Sequence, residues 1–357
     1  ITRAKVTETK LTPFFSNLLP ENALRDYLAG RAGVNPVREF FLLRALGADL
    51  PGAVRVEPAD GQSLPCAHGQ PERDQDNLRS MRFSLAGVQL KFSAIQKARC
   101  GLTIPATGEG GSWIVKLPSP RFDGLPENEY AMMELARKIG IDVPETRLIP
   151  LDQIQGIPKS LENMGGLVKH GTHAFVIRRF DRGSGQQEGQ AIHTEDFAQV
   201  FGVYPHDKYR KASMRNIAQV LKREARQEDQ VELIRRLVFN ALIGNADMHL
   251  KNWSLIYRDK RKASLAPAYD FVSTIAYLPD DRAALTVSRS KKFSDFTLDE
   301  LAHLAVKAKL APDVVLATAR QTVQAFDETW FQEKAHLPLT ASMVAAIDQH
   351  RVRVPLN

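Results

Sequence analysis

The sequence predicts an α+β chain of two lobes that differ in class and face each other across a cleft. Three observations carry this. Residues 81–182 alternate apolar and polar positions as strands do, and residues 183–357 repeat apolar positions at helical spacing. A short helical stretch, 11–54, stands apart behind the polar segment "EPADGQSLPCAHGQPERDQDNLRS" (57–80), whose Gly, Pro, Asp and Gln content reads as a linker. The chain thus divides into an N-terminal unit with linker (1–80), a strand-rich lobe (81–182) and a helical lobe (183–357).

In chain order, "ITRAKVTETK" (1–10) reads as a strand, and a first residue of Ile rather than Met leads us to expect sequence upstream. Pro20 and Glu21 start a short helix, and Val37 to Leu46 form a second, closed by Gly47 and Pro51. "MRFSLAGVQLKFSAI" (81–95) alternates across Gly87, and "SWIVKLP" (112–118) is a compact strand. "ENEYAMMELARKIG" (127–140) is a helix with Tyr130, Met133, Leu135 and Ile139 as apolar positions and Gly140 as its C-cap. "ETRLIPL" (145–151) and "AFVIRRFDR" (174–182) are strands. Helices follow in "TEDFAQVFG" (194–202), "MRNIAQVLKREA" (214–225) and "QVELIRRLVFNALIG" (230–244). Thr297 and Glu300 form a capping box ahead of "LAHLAVKAKL", and two more amphipathic helices close the chain.

The bulk numbers narrow the function classes. With 357 residues, 43% of them apolar, the chain can bury a sizeable core. A net charge of +7 fits an anionic partner or a solvated basic surface. The two cysteines, Cys66 and Cys100, form no CxxC pair, which speaks against a disulfide framework or structural zinc and for a reducing, cytoplasmic setting. No apolar run reaches the roughly 18 residues of a membrane span, and no signal-peptide pattern opens the chain.

The densest polar chemistry lies in "IGNADMHLKNW" (243–253), between a helix and the strand "WSLIY". Asp247 and Asn252 are five residues apart. A turn at Asp259-Lys260 and the strand-like "ASLAPAY" would return Asp270 beside Asn252. Two carboxylates and an amide oxygen would then converge, a donor set that suits Mg²⁺. In phosphoryl-transfer enzymes of the kinase type, an Asp at this place accepts the nucleophile's proton, and an Asn and a second Asp hold metal. Asp and Asn are also ordinary turn formers, so the upstream lobe has to supply the rest of a nucleotide site. "SLAGVQLK" (84–91) offers small residues that let backbone N–H groups approach phosphates, although a plain hairpin turn fits it as well. Lys116 ends a strand and Glu129 lies on the following helix, the order of the kinase lysine–glutamate pair. "IRRFDR" (177–182) falls where one lobe gives way to the other, as an adenine-reading hinge does. Each element alone is ordinary; their joint order is not.

These stretches resemble the HipA family of bacterial toxin kinases over nearly the whole chain. The carrying segments are "LTPFFSNLLPE" (11–21), "FSLAGVQLKF" (83–92), "WIVKLPSP" (113–120), "ENEYAMMELARKIGIDVPET" (127–146), "VIRRFDR" (176–182), "TEDFAQVFG" (194–202), "GNADMHLKNWSL" (244–255) and "LAPAYDF" (265–271). The resemblance implies a two-lobed protein-kinase-like fold that uses ATP and Mg²⁺ to phosphorylate Ser/Thr of a protein. It assigns Asp247 as catalytic base and Asn252 and Asp270 as Mg²⁺ ligands. Lys116 would contact the ATP phosphates, paired with Glu129, and Ala86, Gly87, Val88, Gln89, Leu90 and Lys91 would cover them. Arg178, Arg179 and Phe180 would line the adenine. His249, Leu250 and Lys251 fall in the phosphate-touching stretch, and Tyr269 precedes the metal Asp. Ser84 would be an autophosphorylation site. Implied partners are a helix-turn-helix antitoxin of HipB type, operator DNA mainly through that antitoxin, and a protein substrate such as an aminoacyl-tRNA synthetase, notably the glutamyl enzyme. Two departures stand out. Arg178 replaces a Glu of a relative, which removes a side-chain contact to adenine, and the N-terminal subdomain begins late, roughly half of it being absent. A small-molecule phosphotransferase would use the same Asp and metal ligands. A non-catalytic corepressor would not need them.

Overall fold

The structure, a computed structural model, describes residues 9–59, 91–97, 101–104, 111–157, 171–183, 189–279 and 282–356. Helix α1 (Pro13–Asn17) starts behind an extended Thr12, with Pro13 in the first turn where a missing N–H costs nothing. It was not anticipated, although Thr-Pro ahead of an apolar run is a start signal. Helix α2 (Asn22–Ala32) ends at Gly33, whose φ of 65° reverses the chain, and α3 (Glu39–Leu46) starts two residues later than expected. Leu18, Leu19, Ala29, Leu42, Leu43 and Leu50 close a core of their own. The proposed strand at 1–10 lies outside the described residues in its first eight positions.

The strand-rich lobe contains β1 (Lys91–Lys97), β2 (Gly101–Thr103), β3 (Trp113–Lys116), α4 (Leu125–Lys138), β4 (Thr146–Pro150), β5 (Ile154–Gln155) and β6 (His173–Arg178). The strands order β4-β6-β3-β1-β2-β5, with β2 and β5 parallel and every other neighbour antiparallel. Alternation sorts the side chains between two cores. Trp113, Val115, Ala174 and Val176 face a core limited to the sheet, with Leu102 and Ile154. Phe175 and Ile177 face the other way, onto Met132, Met133 and Leu135 of α4, in a core that continues into the helical lobe. Gly124, in the left-handed region, and Pro126 start α4 two residues before the expected Glu127.

The helical lobe follows as β7 (His193–Asp196), α5 (Phe197–Val200), α6 (Met214–Glu224), α7 (Gln227–Leu242), β8 (Ser254–Tyr257), β9 (Ser264–Leu265), α8 (Leu298–Ala308), α9 (Pro312–Glu333) and α10 (Ala341–Arg353). "TEDFAQVFG" is not one helix. Its first residues pair with β8, as Thr194↔Ile256 and Glu195↔Leu255, and only the turn after Asp196 is helical, closed by a reciprocal Asp196–Gln199 capping box. Thr297 caps α8 as expected, but the Glu300 carboxylate turns instead to the N–H groups of Ser288, Arg289 and Ser290. Helix α7 is buried through Leu233, Leu237 and Phe239, with Phe326 and Trp330 of α9 in the same core. No described helix is long and apolar enough to cross a membrane.

The N-terminal helices are tied to both lobes. Asn17 Nδ2 donates to Val203 O at 2.7 Å, and Gln199 Nε2 donates to Phe14 O at 3.1 Å. At the lobe junction, Arg179 and Arg182 pair with Asp49 and Asp181, and Gly52 N donates to Asp181 Oδ2 at 2.7 Å. No side chain of this quartet is more than 10% exposed. Removing one carboxylate would leave buried guanidinium groups under-paired. Asp181→Ala is therefore expected to lower the unfolding free energy by about 3–5 kcal/mol, measured by urea denaturation.

Candidate active site

Strand alternation aims Lys116. Val115 faces the sheet core, so Lys116 faces α4 and the cleft. Its Nζ lies 2.5 Å from Glu129 Oε1 and also donates to Asp270 Oδ1. The Phe175 ring, directly opposite on β6, lies 5.6 Å from Nζ. Burial would deprotonate this ammonium, but Asp270 and Glu129 outweigh it and hold the pKa above the usual lysine value. Burial pushes the Glu129 carboxyl up to about 7, against the pull of Lys116. At Asp270, burial also works to raise the pKa, but Lys116 and then Lys91 prevail and keep it well below the usual range. The ammonium is shared by both carboxylates. Lys91 opposes Lys116 across β1 and β3, so both lysines share one face of the sheet.

The segment after α7 is fixed mainly by its own backbone. Gly244 takes φ 65°, a turn open to glycine at little cost. Asn245 bonds back to Asn240 through its N–H (2.9 Å) and its side chain (2.7 Å), and its Oδ1 accepts Asp247 N at 3.0 Å. The carbonyl of Asp247 accepts His249 N at 2.7 Å and Asn252 Nδ2 at 3.0 Å. That second bond spends the amide nitrogen of Asn252 and leaves its Oδ1 as the group available to a metal. The β8–β9 hairpin brings Asp270 back, so that Asn252, Tyr269 and Asp270 line one recess. Asp270 itself sits at φ 58°, a conformation that Asp tolerates better than most residues.

Tyr209 donates to Asp247 Oδ1 at 2.8 Å. Burial pushes the Asp247 carboxyl up to about 6, with Tyr209 and Lys208 holding it down and Asp270 and Glu21 adding to the rise. Beside it, burial and then Lys208 depress the His249 imidazole to about 3, so the ring is neutral. Its Nδ1 is buried with no hydrogen-bond partner among the described residues.

Several expected site residues are placed differently. Lys91 opens β1 and reaches the cleft as a strand side chain, not as part of a loop. Leu250 is fully buried in the main core, where its apolar side chain belongs. Lys251 Nζ turns to the N-terminal helices, 2.8 Å from Asn17 O and 3.1 Å from Glu21. The Arg179 guanidinium is drawn into the Asp49–Asp181 network, and the backbone N–H groups of Arg178 and Arg179 donate to Glu145 O and Ser112 O. The Phe180 ring lies 5.4 Å from that of Tyr269, and both residues line the cleft. Ser84, Ala86, Gly87, Val88, Gln89 and Leu90 lie outside the described residues. Sequence reasoning missed Tyr209, Lys208 and Glu21. The first two lie far upstream of Asp247 in a turn without a motif, and Glu21 shows only as a helix-start residue.

A strand-rich lobe set on a helical lobe, with charged groups from both meeting in the cleft, is the protein-kinase-like architecture. The profile of the HipA-like C-terminal domain matches residues 83–330, and that of the HipA N-terminal domain matches residues 1–57. The chain belongs to the HipA family. It is 52% identical to the putative kinase Y4dM of Sinorhizobium fredii over 363 positions, which cover 100% of this chain and 85% of the relative. It is 26% identical to the serine/threonine-protein kinase toxin HipA of Shewanella oneidensis over 303 positions, covering 76% of this chain and 65% of that one. The solved complex of Shewanella oneidensis HipA with HipB and operator DNA superposes with a TM-score of 0.73 at 22% identity, covering 96% of this chain and 83% of the solved chain.

The turn into the Asp247 segment yields a test. A Cβ on Gly244 would lie 2.7 Å from Ile275 Cγ2 and 3.0 Å from His350 Cδ2, in a left-handed backbone. Gly244→Ala is expected to cost about 2–4 kcal/mol of stability, read by thermal or urea unfolding.

Proposed function

We propose that the chain is a HipA-type kinase that transfers the γ-phosphoryl group of ATP to a Ser or Thr hydroxyl of a protein. The observation that carries this reading is the meeting, in one cleft, of Lys116 and Glu129 from the strand-rich lobe with Asp247, Asn252 and Asp270 from the helical lobe. Lys116 would engage the phosphates, and Phe180 with Tyr269 would pack against adenine. Asp247, steadied through Oδ1 by Tyr209, would take the proton of the attacking hydroxyl as the phosphoryl group moves to that oxygen and ADP leaves. Two hard oxygen donors, Asn252 Oδ1 and the Asp270 carboxylate, fit Mg²⁺, which keeps several waters and needs few protein ligands. When bound there, Mg²⁺ would offset the charge of the phosphate oxygens.

We infer three units, 1–80, 81–182 and 183–357, in support of which the N-terminal helices have their own core. The cleft encloses about 1630 Å³ and extends from the charged groups to Leu24, Tyr27 and Leu46 of the N-terminal helices. Pockets for small ligands span roughly 300–1,000 Å³. The surplus room supports a polypeptide substrate, an aminoacyl-tRNA synthetase such as the glutamyl enzyme being one candidate, over a small-molecule acceptor. The Shewanella oneidensis relative, solved with HipB and operator DNA, supports a HipB-type antitoxin as partner and contact with DNA through it, in a bacterial cytoplasm.

Asp247→Ala is expected to abolish phosphate transfer while retaining ATP binding, because the base does not hold the nucleotide. Asn252→Ala and Asp270→Ala should instead weaken Mg²⁺-dependent ATP binding, measured by calorimetry with and without the metal. Transfer by Asp247→Ala at near wild-type rate removes that residue as base, and unchanged Mg·ATP affinity in both other variants removes the metal site. Incubation with labelled ATP and a cell extract separates protein from metabolite acceptors.

Ser84 is the proposed site of self-inactivation. A phosphate there adds about −1.5 to −2 charge and would repel the nucleotide's own phosphates. Mass spectrometry after incubation with Mg·ATP should find Ser84 phosphorylated, and Ser84→Asp should bind ATP more weakly. An active enzyme without phosphate on Ser84 rules out the self-modification.

A further inference from the structure

The N-terminal helices reach the Asp247 segment through one carboxylate. Glu21, immediately before α2, accepts from Lys208 Nζ at 2.8 Å and lies 3.1 Å from Lys251 Nζ. The Lys208 and Lys251 side chains are 6% and 15% exposed. Each lysine is adjacent in sequence to a group that handles Asp247. Tyr209, next to Lys208, donates to Asp247 Oδ1, and the Lys208 carbonyl accepts Leu250 N at 3.3 Å. Asn252, next to Lys251, donates to the Asp247 carbonyl.

Two ammonium groups drawn out of water around one point repel each other and need a counter-ion. Glu21 is shared by both. Asp196 stands farther off, 3.9 Å from Lys251 alone. Without the Glu21 charge the two lysines would part. One would draw the Tyr209 turn away from Asp247, and the other would draw on Asn252. Neither displacement touches Phe180 or Lys116, so nucleotide binding through those groups would persist; Asp247 would lose alignment, and a shift of Asn252 would weaken Mg·ATP binding by less than its removal does. We propose that Glu21 is a positioning residue for phosphoryl transfer, through which the N-terminal unit sets the geometry of Asp247 and Asn252. The kinetic part of this inference rests on the kinase reading above.

The test uses the full chain. In Glu21→Gln, kcat for transfer should fall about 10- to 100-fold while KM for ATP rises less than it does in Asn252→Ala. Glu21→Asp, which keeps the charge on a shorter arm, should recover part of the loss. The control is Tyr204→Phe, which removes another anchor of the same helices, the bond from Tyr204 Oη to Leu11 O at 3.1 Å, away from the lysines. It should stay within about twofold of wild type in kcat. A Glu21→Gln kcat within that range, or an equal loss in Tyr204→Phe, overturns the proposal. Amide hydrogen exchange provides a readout that needs no activity. Glu21→Gln should speed exchange about tenfold or more at Leu250, whose N–H donates to Lys208 O, and at Arg210, whose N–H donates to Asp207 O, with the α7 amides of Leu237 and Val238 unchanged. If the wild-type chain transfers no phosphate, the kinase reading fails and exchange decides: unchanged rates at Arg210 and Leu250 overturn the positioning role.

Discussion

One ammonium group holds the cleft together. Lys116 comes from the sheet, Glu129 from the helix behind it, and Asp270 from the hairpin of the helical lobe, so a single buried cation joins three separate pieces of the chain. Its two carboxylate partners, Glu129 through Oε1 and Asp270 through Oδ1, fix the sheet, the helix behind it and the hairpin in one arrangement. The sheet register makes this possible, because a one-residue slip in β3 would send Lys116 into the apolar core and Val115 to the cleft.

The second constraint is the N-terminal unit. Its helices close their own core, yet their polar groups are spent on the rest of the chain. Asp49 and Gly52 reach the lobe junction, and Glu21 and the Asn17 carbonyl reach Lys251. Buried ion pairs of this kind are poor sources of net stability, since desolvation offsets most of the attraction. They are demanding about geometry, because a misplaced member leaves a buried charge unpaired. That demand registers the N-terminal helices on the junction and on the Asp247 segment at once, which apolar packing alone would do less strictly.

Much of this was legible in the sequence, and the reasons differ by residue. Periodicity located β1, β3, β4, β6, β8 and most helices, since burial on one face imposes it, but not the short β2, β5 and β7. The order Lys116, Glu129, hinge, Asp247, Asn252, Asp270 could be read because each stands beside a recognisable element boundary, and the hairpin that returns Asp270 is a local structure. Side-chain direction was not legible. Lys251 and Arg179 lie inside recognisable stretches, yet their charged ends are claimed by Glu21 and Asp49, more than a hundred residues away in sequence. Leu250 shares the stretch and points into the core. Thr194 and Glu195 read as helix because the capping residue, Asp196, lies only after them, and their pairing with β8 depends on a strand 60 residues downstream. The common cause is tertiary contact, which composition and spacing do not encode.

The two charge clusters of the cleft are built in inverse sense. At Lys116 one cation lies between two carboxylates, and at Glu21 one carboxylate lies between two cations. Asp247 stands near the second. Burial raises its carboxyl to about 6, and Lys208 is one of the groups that keep it from rising further. In the proposed role of base, Asp247 must be ionised to accept a proton, and a buried Asp then needs positive charge close by. It must also not be neutralised by a direct ion pair, which would hold it too weakly basic to act. Placing the positive surplus one bond away, behind Tyr209 and shared through Glu21, meets both requirements. Burial of Glu21 works to protonate it, but Lys251 and Lys208 outweigh that and hold its carboxyl at about 2, below the usual carboxylate range. The N-terminal helices thus contribute to the electrostatics of the cleft without placing a group on the reacting atoms.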